Sequence, residues 1–309
     1  MEEKSMQFAN FNITFGRQNE PMLTHFEDVL FPAFNSGYIR GKKDEYPRYS
    51  FSDIAISEID GEYVLVGNFV KETEYKVITT VSHGSLVSTP ADVPTAPYSR
   101  FLIFLKNHRM VLIKNENASP DIRSFQKTLR EIVSKYLHVE NQKREDKEKL
   151  PDAIINIIDI PLPESVETVL KDVKKIKWLR FRFFPLNNDL PVDPVFNLVT
   201  QSMGELGSRT ANLVFNTPGS KDGVQSLLNA TGGMAESTMQ IEDNDGSSRK
   251  IKQDHFSSSV KVDYHGNLSA NGDQYLAARA KKYSLVNWLS DENHKLYESF
   301  KEAIKRFVH

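Results

Sequence analysis

The 309-residue chain contains no cysteine, which excludes disulfides, thiolate metal sites and a cysteine nucleophile together. Any metal would have to be held by histidine and carboxylates. No stretch approaches the roughly 18 consecutive apolar residues of a membrane helix. The start, Met1-Glu2-Glu3-Lys4-Ser5-Met6, is polar and acidic, so no secretory signal is expected and the cytoplasm is the expected compartment. A dominant charge is missing too. With 39 basic against 41 acidic residues, no global field draws the protein to nucleic acid or to an anionic membrane, and any such binding has to be local. The catalytic signatures are equally sparse: no G-x-S-x-G elbow, no Walker spacing, no G-x-G-x-x-G and no H-E-x-x-H. No cofactor and no metal are therefore expected.

What is present is an ordinary globular composition, 39% hydrophobic and 10% aromatic, sufficient for a sizeable core. Phe8, Phe11, Ile13 and Phe15 suggest an opening strand, and 21–34 reads as a helix carrying Leu23, Phe26, Val29, Leu30 and Phe34. A β-rich block follows. Runs 54–59 and 63–70 flank Asp60-Gly61, a dipeptide suited to the positive φ angles of a tight hairpin, and a third strand is expected over 75–80. Residues 82–99 are rich in Ser, Thr and Pro; Pro90, Pro94 and Pro97 each remove a backbone donor, which predicts an irregular loop. A second hairpin, 101–105 and 110–113, turns at 106–109.

The clearest helix begins after Ser119-Pro120, with Ser119 as the expected cap and Ile122, Phe125, Leu129, Ile132, Val133 and Tyr136 on one face. The charged run 141–150 lacks apolar periodicity and reads as a solvated extension or linker. It places an expected boundary between an N-terminal unit, 1–150, and a C-terminal unit, 151–309, unless the two form one elaborated domain. The second half alternates strand and helix: 153–158, 165–173, 176–184, 194–203, 210–216 and 222–230. That pattern implies crossover units packed on a sheet. Short antiparallel segments follow at 237–242, 249–253 and 259–264, which makes the class α+β rather than doubly wound. A final helix carries Leu296, Phe300, Ile304 and Phe307 as an apolar stripe.

Four local features bear on chemistry. The turn 217–223 stands between a strand and a helix but lacks phosphate-loop spacing, so Ser220 reads as a simple cap. Arg249 and His255 match the relaxed Arg-x₄₋₆-His spacing of bacterial immunity ribonucleases, on strand and turn rather than on the helix those enzymes use. Asp53, Glu58, Asp60, Glu62 and Lys71 are metal-nuclease residue types, and turn composition explains them as well. The eight histidines are scattered; His83 and His265, each before a glycine, are general-base candidates only if a partner folds beside them.

The strongest feature is the run from Lys171 to Arg182. If 176–184 is a strand, Trp178, Arg180 and Arg182 project from one face while Leu179, Phe181 and Phe183 bury on the other. Lys174, Lys175 and Lys177 precede them. Such a face suits single-stranded nucleic acid, where bases stack on aromatics, or an acidic protein partner, since arginine forks match carboxylates. It equally suits an ordinary strand with solvated arginine stems.

The alternating start, the segments 62–71 and 101–112, the helix after Ser119-Pro120 and the 176–189 strand with its Pro-Leu-Asn-Asn-Asp tail resemble uncharacterised bacterial families found among phage-defence and mobile-element genes. The resemblance covers 6–265 and carries over no functional residue. It implies a protein that handles foreign nucleic acid or helps a partner do so. The expectation is thus a non-enzymatic binding component of a defence module, with no membrane partner. A nuclease-type effector toxin and an assembly scaffold that self-associates through the last helix are the alternatives.

Overall fold

The computed structural model describes residues 3–187, 193–257, 259–264 and 270–308. In chain order its elements are β1 (Glu3–Phe15), β2 (Glu20–Pro21), two helical turns leading into α1 (Phe31–Phe34), β3 (Arg48–Ile59), β4 (Glu62–Ser82), β5 (Ser85–Thr95), β6 (Tyr98–Phe104), β7 (Arg109–Lys114) and α2 (Ile122–Asn141). Then come β8 (Ala153–Asp159), α3 (Pro163–Lys171), β9 (Val173–Phe183), α4 (Pro194–Glu205), β10 (Ala211–Asn216), α5 (Lys221–Ala230), β11 (Ala235–Asp243) and β12 (Ser248–Lys252). The chain closes with β13 (Val260–Asp263), α6 (Ala270–Ala280), α7 (Ser284–Asn287) and α8 (Asp291–Lys305). The protein is α+β.

Two sheets organise it. The larger runs β13-β1-β7-β6-β4-β3, with β2 and β8 also on β1 and β5 on β4; the smaller runs β10-β9-β11-β12. Every strand pair in both is antiparallel. Residues beyond 150 enter both sheets, because β13 pairs with the first residues of β1 and β8 with its last seven, Ala9 to Phe15.

The period of two along β1 sets the two faces of the large sheet. Ala9, Phe11, Ile13 and Phe15 face a core covered by α2, the 22–34 helical segment and α8. Met6 and Phe8 face a second core with Leu276 and Ala277 of α6. Farther along that second face the row turns polar, to Asn10, Asn12 and Thr14, all buried. In the first core, the Phe51, Phe69 and Phe101 rings converge on Phe125 of α2 at 5.0, 5.3 and 5.1 Å. Gly67 makes room for this: a Cβ there would lie 2.6 Å from the Phe101 ring. On the other face a buried ion pair anchors α6, Arg100 to Asp273 at 2.6 Å.

The small sheet buries one face only. Leu179, Phe181 and Phe183 of β9, with Met239, Ile241 and Ile251, pack on α3, α4 and α5 through Val166, Phe196 and Leu228.

Several expectations need correction. The Pro-rich stretch is no irregular loop: β5 pairs with the outer half of β4 as a two-stranded arm. Pro90 falls in a break of register between Val77 and Thr79, and Pro94 lies on a strand paired on one side only, where a missing donor is tolerated. The strand–helix alternation of the second half gives one crossover unit: α5 joins β10 to β11, which flank β9, both run antiparallel to it and are therefore parallel to each other. β9 and β10, joined through α4, are adjacent and antiparallel, and the first strand, β8, belongs to the other sheet. The cap of α2 is Asp121, whose side chain accepts from the Ser124 amide, while Ser119 donates to the Tyr98 carbonyl. The apolar stripe of α8 is spent on the protein's own core, where Tyr297 and Ile304 are buried and Leu296, Phe300 and Phe307 pack beside them. That leaves self-association through this helix without its motive. Among the described residues no helix is long and apolar enough to cross a membrane.

Candidate functional site

The uncovered face of the small sheet is built by strand parity. On β9, Trp178 and Arg180 are half-buried and Arg182 is exposed, with Leu179, Phe181 and Phe183 buried behind them. Neighbouring strands add Asn212, Val214 and Asn216 from β10, Glu236, Thr238 and Gln240 from β11, and Lys250 and Lys252 from β12, in the registers that place them beside the three. The Trp178 indole lies between two cations, the Arg180 guanidinium and the Lys250 ammonium, each 6.0 Å from a ring centroid. The Arg182 guanidinium stands 5.1 Å from the Phe184 ring. Among the described residues no carboxylate pairs with Arg180 or Arg182, and the Arg180 Nε, shielded from solvent, has no acceptor.

The basic run divides at Lys177. A break of register between Gln240 and Ile241 skips Lys177, so Ile176 and Leu179 both reach the core. Lys174 and Lys177 then lie 3.2 and 3.9 Å from Glu242, and Lys177 donates to Ser248. Lys175 is exposed. The lysine end is therefore largely neutralised, whereas the Trp178–Arg182 end is open.

The other candidates are placed as follows. Arg249 holds Asp243 across the β11–β12 hairpin at 2.7 Å, while His255 sits past the opposite end of β12 against Asp254 at 3.0 Å. Asp53 accepts from Asn68, Asp60 pairs with Lys281, and Glu62 pairs with Lys106 and Lys281. Among the described residues no group of three or more histidines and carboxylates is arranged to hold a metal. Ser220 caps α5, accepting from the Gly223 amide at 3.0 Å. His83 sits at the arm's exposed tip beside Ser82, and His265 lies outside the described residues.

What the sequence reading missed is a cleft where the small sheet meets α2 and β8. Its narrower part, about 360 Å³, is lined by Arg123, Arg130, Arg182 and Lys252 with Asp121, Asp159, Glu236 and Asp254. Burial, followed by the charges of Asp254 and Asp121, pushes the Asp159 carboxyl up to about 7. The wider part, about 1030 Å³, is lined by Arg130, Arg144, Lys149, Arg182 and Arg209 against one carboxylate, Asp152. Basic positions 123, 127 and 130 of α2 opposite its apolar stripe were the available signal; which sheet they would face was not in the periodicity.

No protein-family model, no curated relative and no solved structure matches this chain.

Proposed function

We propose that this protein binds single-stranded nucleic acid on the open face of the small sheet, as a non-enzymatic component of a prokaryotic anti-phage defence system acting in the cytoplasm. One observation carries the reading: a half-exposed indole at the centre of an uncovered antiparallel sheet, with Arg180 and Lys250 beside it. Bases stack on such a ring regardless of sequence, worth about 1–3 kcal/mol per base. The surrounding cations meet phosphates and make the affinity depend on salt. The defence setting rests on the sequence resemblance alone.

The test is the anisotropy of labelled single-stranded DNA and RNA, titrated at several salt concentrations with wild type, Trp178→Ala and Arg180→Ala. Wild-type affinity is expected to fall with rising salt, and Trp178→Ala to lose about tenfold, near the lower end of the stacking range. Arg180→Ala is expected to reduce the slope of log affinity against log salt by about one. Equally negligible binding by all three proteins at low salt removes nucleic acid from the account and leaves an acidic protein partner as the ligand class this face would fit.

A further inference from the structure

Beyond the end of β9 the chain is tied to the large sheet: Asn12 of β1 donates to the Pro185 carbonyl at 2.7 Å and accepts from the Asn187 amide at 2.9 Å. Asn12 is also the register partner of Asn156 on β8. The tie brings Arg182 to the same cleft as Arg130 and Asn156.

Arg130 is held from the other side. Its Nε donates to the Ile155 carbonyl at 2.8 Å, and a terminal nitrogen reaches the Asn156 Oδ1 at 3.1 Å. These bonds fix the guanidinium over the edge of β8. They also orient Asn156, which is 4% exposed and whose Nδ2 has no acceptor among the described residues. Burial and then the Arg182 charge hold the Arg130 pKa below the ordinary arginine range; Glu236 opposes this in part. Two guanidiniums thus share one recess with a buried, unused amide donor, and the wide groove beside them carries Arg144, Lys149 and Arg209. Of these, Lys149 is already paired with Asp146.

We infer that Arg130, Arg182 and the Asn156 Nδ2 form a seat for a phosphate group of the bound strand. The inference rests on the nucleic-acid reading and adds to it the point where the backbone is gripped. Phosphate is the chemistry that fits: its oxygens take forked guanidinium donors, its charge relieves the repulsion between the two arginines, and a spare oxygen meets the amide. The group comes either from an internal diester or from a terminal monoester.

The experiment compares wild type, Arg182→Gln and Trp178→Ala. Each protein is titrated with a 3′-labelled octathymidylate bearing either a 5′-phosphate or a 5′-hydroxyl, and separately with inorganic phosphate and pyrophosphate in a thermal melt. Arg182→Gln is expected to weaken oligonucleotide binding about tenfold, to lower the salt slope by about one, and to abolish stabilisation by pyrophosphate. Trp178→Ala is expected to weaken oligonucleotide binding and to keep that stabilisation. A wild-type preference for the 5′-phosphate that Arg182→Gln erases identifies the terminal monoester; equal affinity for both ends, with the Arg182→Gln loss intact, identifies the diester. If Arg182→Gln matches wild type in both assays while Trp178→Ala loses the oligonucleotide, the seat is refuted and strand binding stands. Pyrophosphate stabilisation that needs Arg182, without oligonucleotide binding by any protein, leaves the seat and refutes strand binding.

Discussion

His108 occupies the turn between β6 and β7 at φ +56°, fully buried, with neither ring nitrogen hydrogen-bonded among the described residues. Burial, and then the neighbouring Arg109, lower its pKa from 6.5 to about 3. The folded state accordingly binds fewer protons than the unfolded state between those two values. Stability from this group is fully present above about pH 6.5 and is lost as pH falls toward 3, at no more than about 1.4 kcal/mol per pH unit. His108→Asn keeps a residue type that tolerates the left-handed backbone and removes the titration. Urea midpoints measured from pH 7 to pH 4 should fall less steeply in His108→Asn than in wild type. Parallel curves would show that the buried imidazole is not what acid attacks.

At the scale of elements, the arm formed by β4 and β5 makes a sharp prediction, because its outer half exposes Tyr75, Ile78, Val81 and Leu86 and belongs to no core cluster. Replacing residues 76–92 by Asn-Gly, a dipeptide suited to closing a two-residue hairpin, should leave the melting temperature within a few degrees of wild type. A loss of cooperative unfolding would mean that the arm holds the sheet together. The same element marks the limit of sequence reading. Proline chemistry argued for a loop over 82–99, and the chain escaped that logic by putting Pro90 in a break of register and Pro94 on a strand with one neighbour. Periodicity did fix which side chains share a face: the stripe of α2, the stripe of α8 and the division of β9 into Trp178-Arg180-Arg182 and Leu179-Phe181-Phe183 were all legible. It could not name neighbours. β8 and β13 reach β1 from more than a hundred residues away, and an alternating pattern specifies a face without specifying who pairs with it. The cleft was invisible for that reason, since Arg130, Asn156 and Arg182 come from α2, β8 and β9 and meet only once both sheets are in place.

At the scale of the whole molecule, one asparagine couples the scaffold to the site. Asn12 lies in the polar row of β1, 1% exposed, and its two hydrogen bonds to Pro185 and Asn187 cross from the large sheet to the segment leaving β9. Asn187 extends the tie by accepting from the Met22 amide at 2.6 Å. Asn12→Ala strands a buried carbonyl and a buried amide, each worth about 1–3 kcal/mol when left unpaired, so a loss of roughly 2–6 kcal/mol is expected in urea denaturation. Asn10 is the internal comparison. It is fully buried two residues earlier on the same face, yet neither of its side-chain polar atoms has a partner among the described residues. Asn10→Ala removes an unsatisfied amide instead of creating two, and its cost should be the smaller. The coupling also predicts function. With Asn12 gone, Arg182 is no longer held opposite Arg130, so oligonucleotide affinity should drop in Asn12→Ala at a temperature where the protein is still folded, although Asn12 lines neither part of the cleft. Asn10→Ala should bind as wild type does. If both variants lose equal stability and neither loses affinity, the tie between the sheets is not what sets the geometry of the seat.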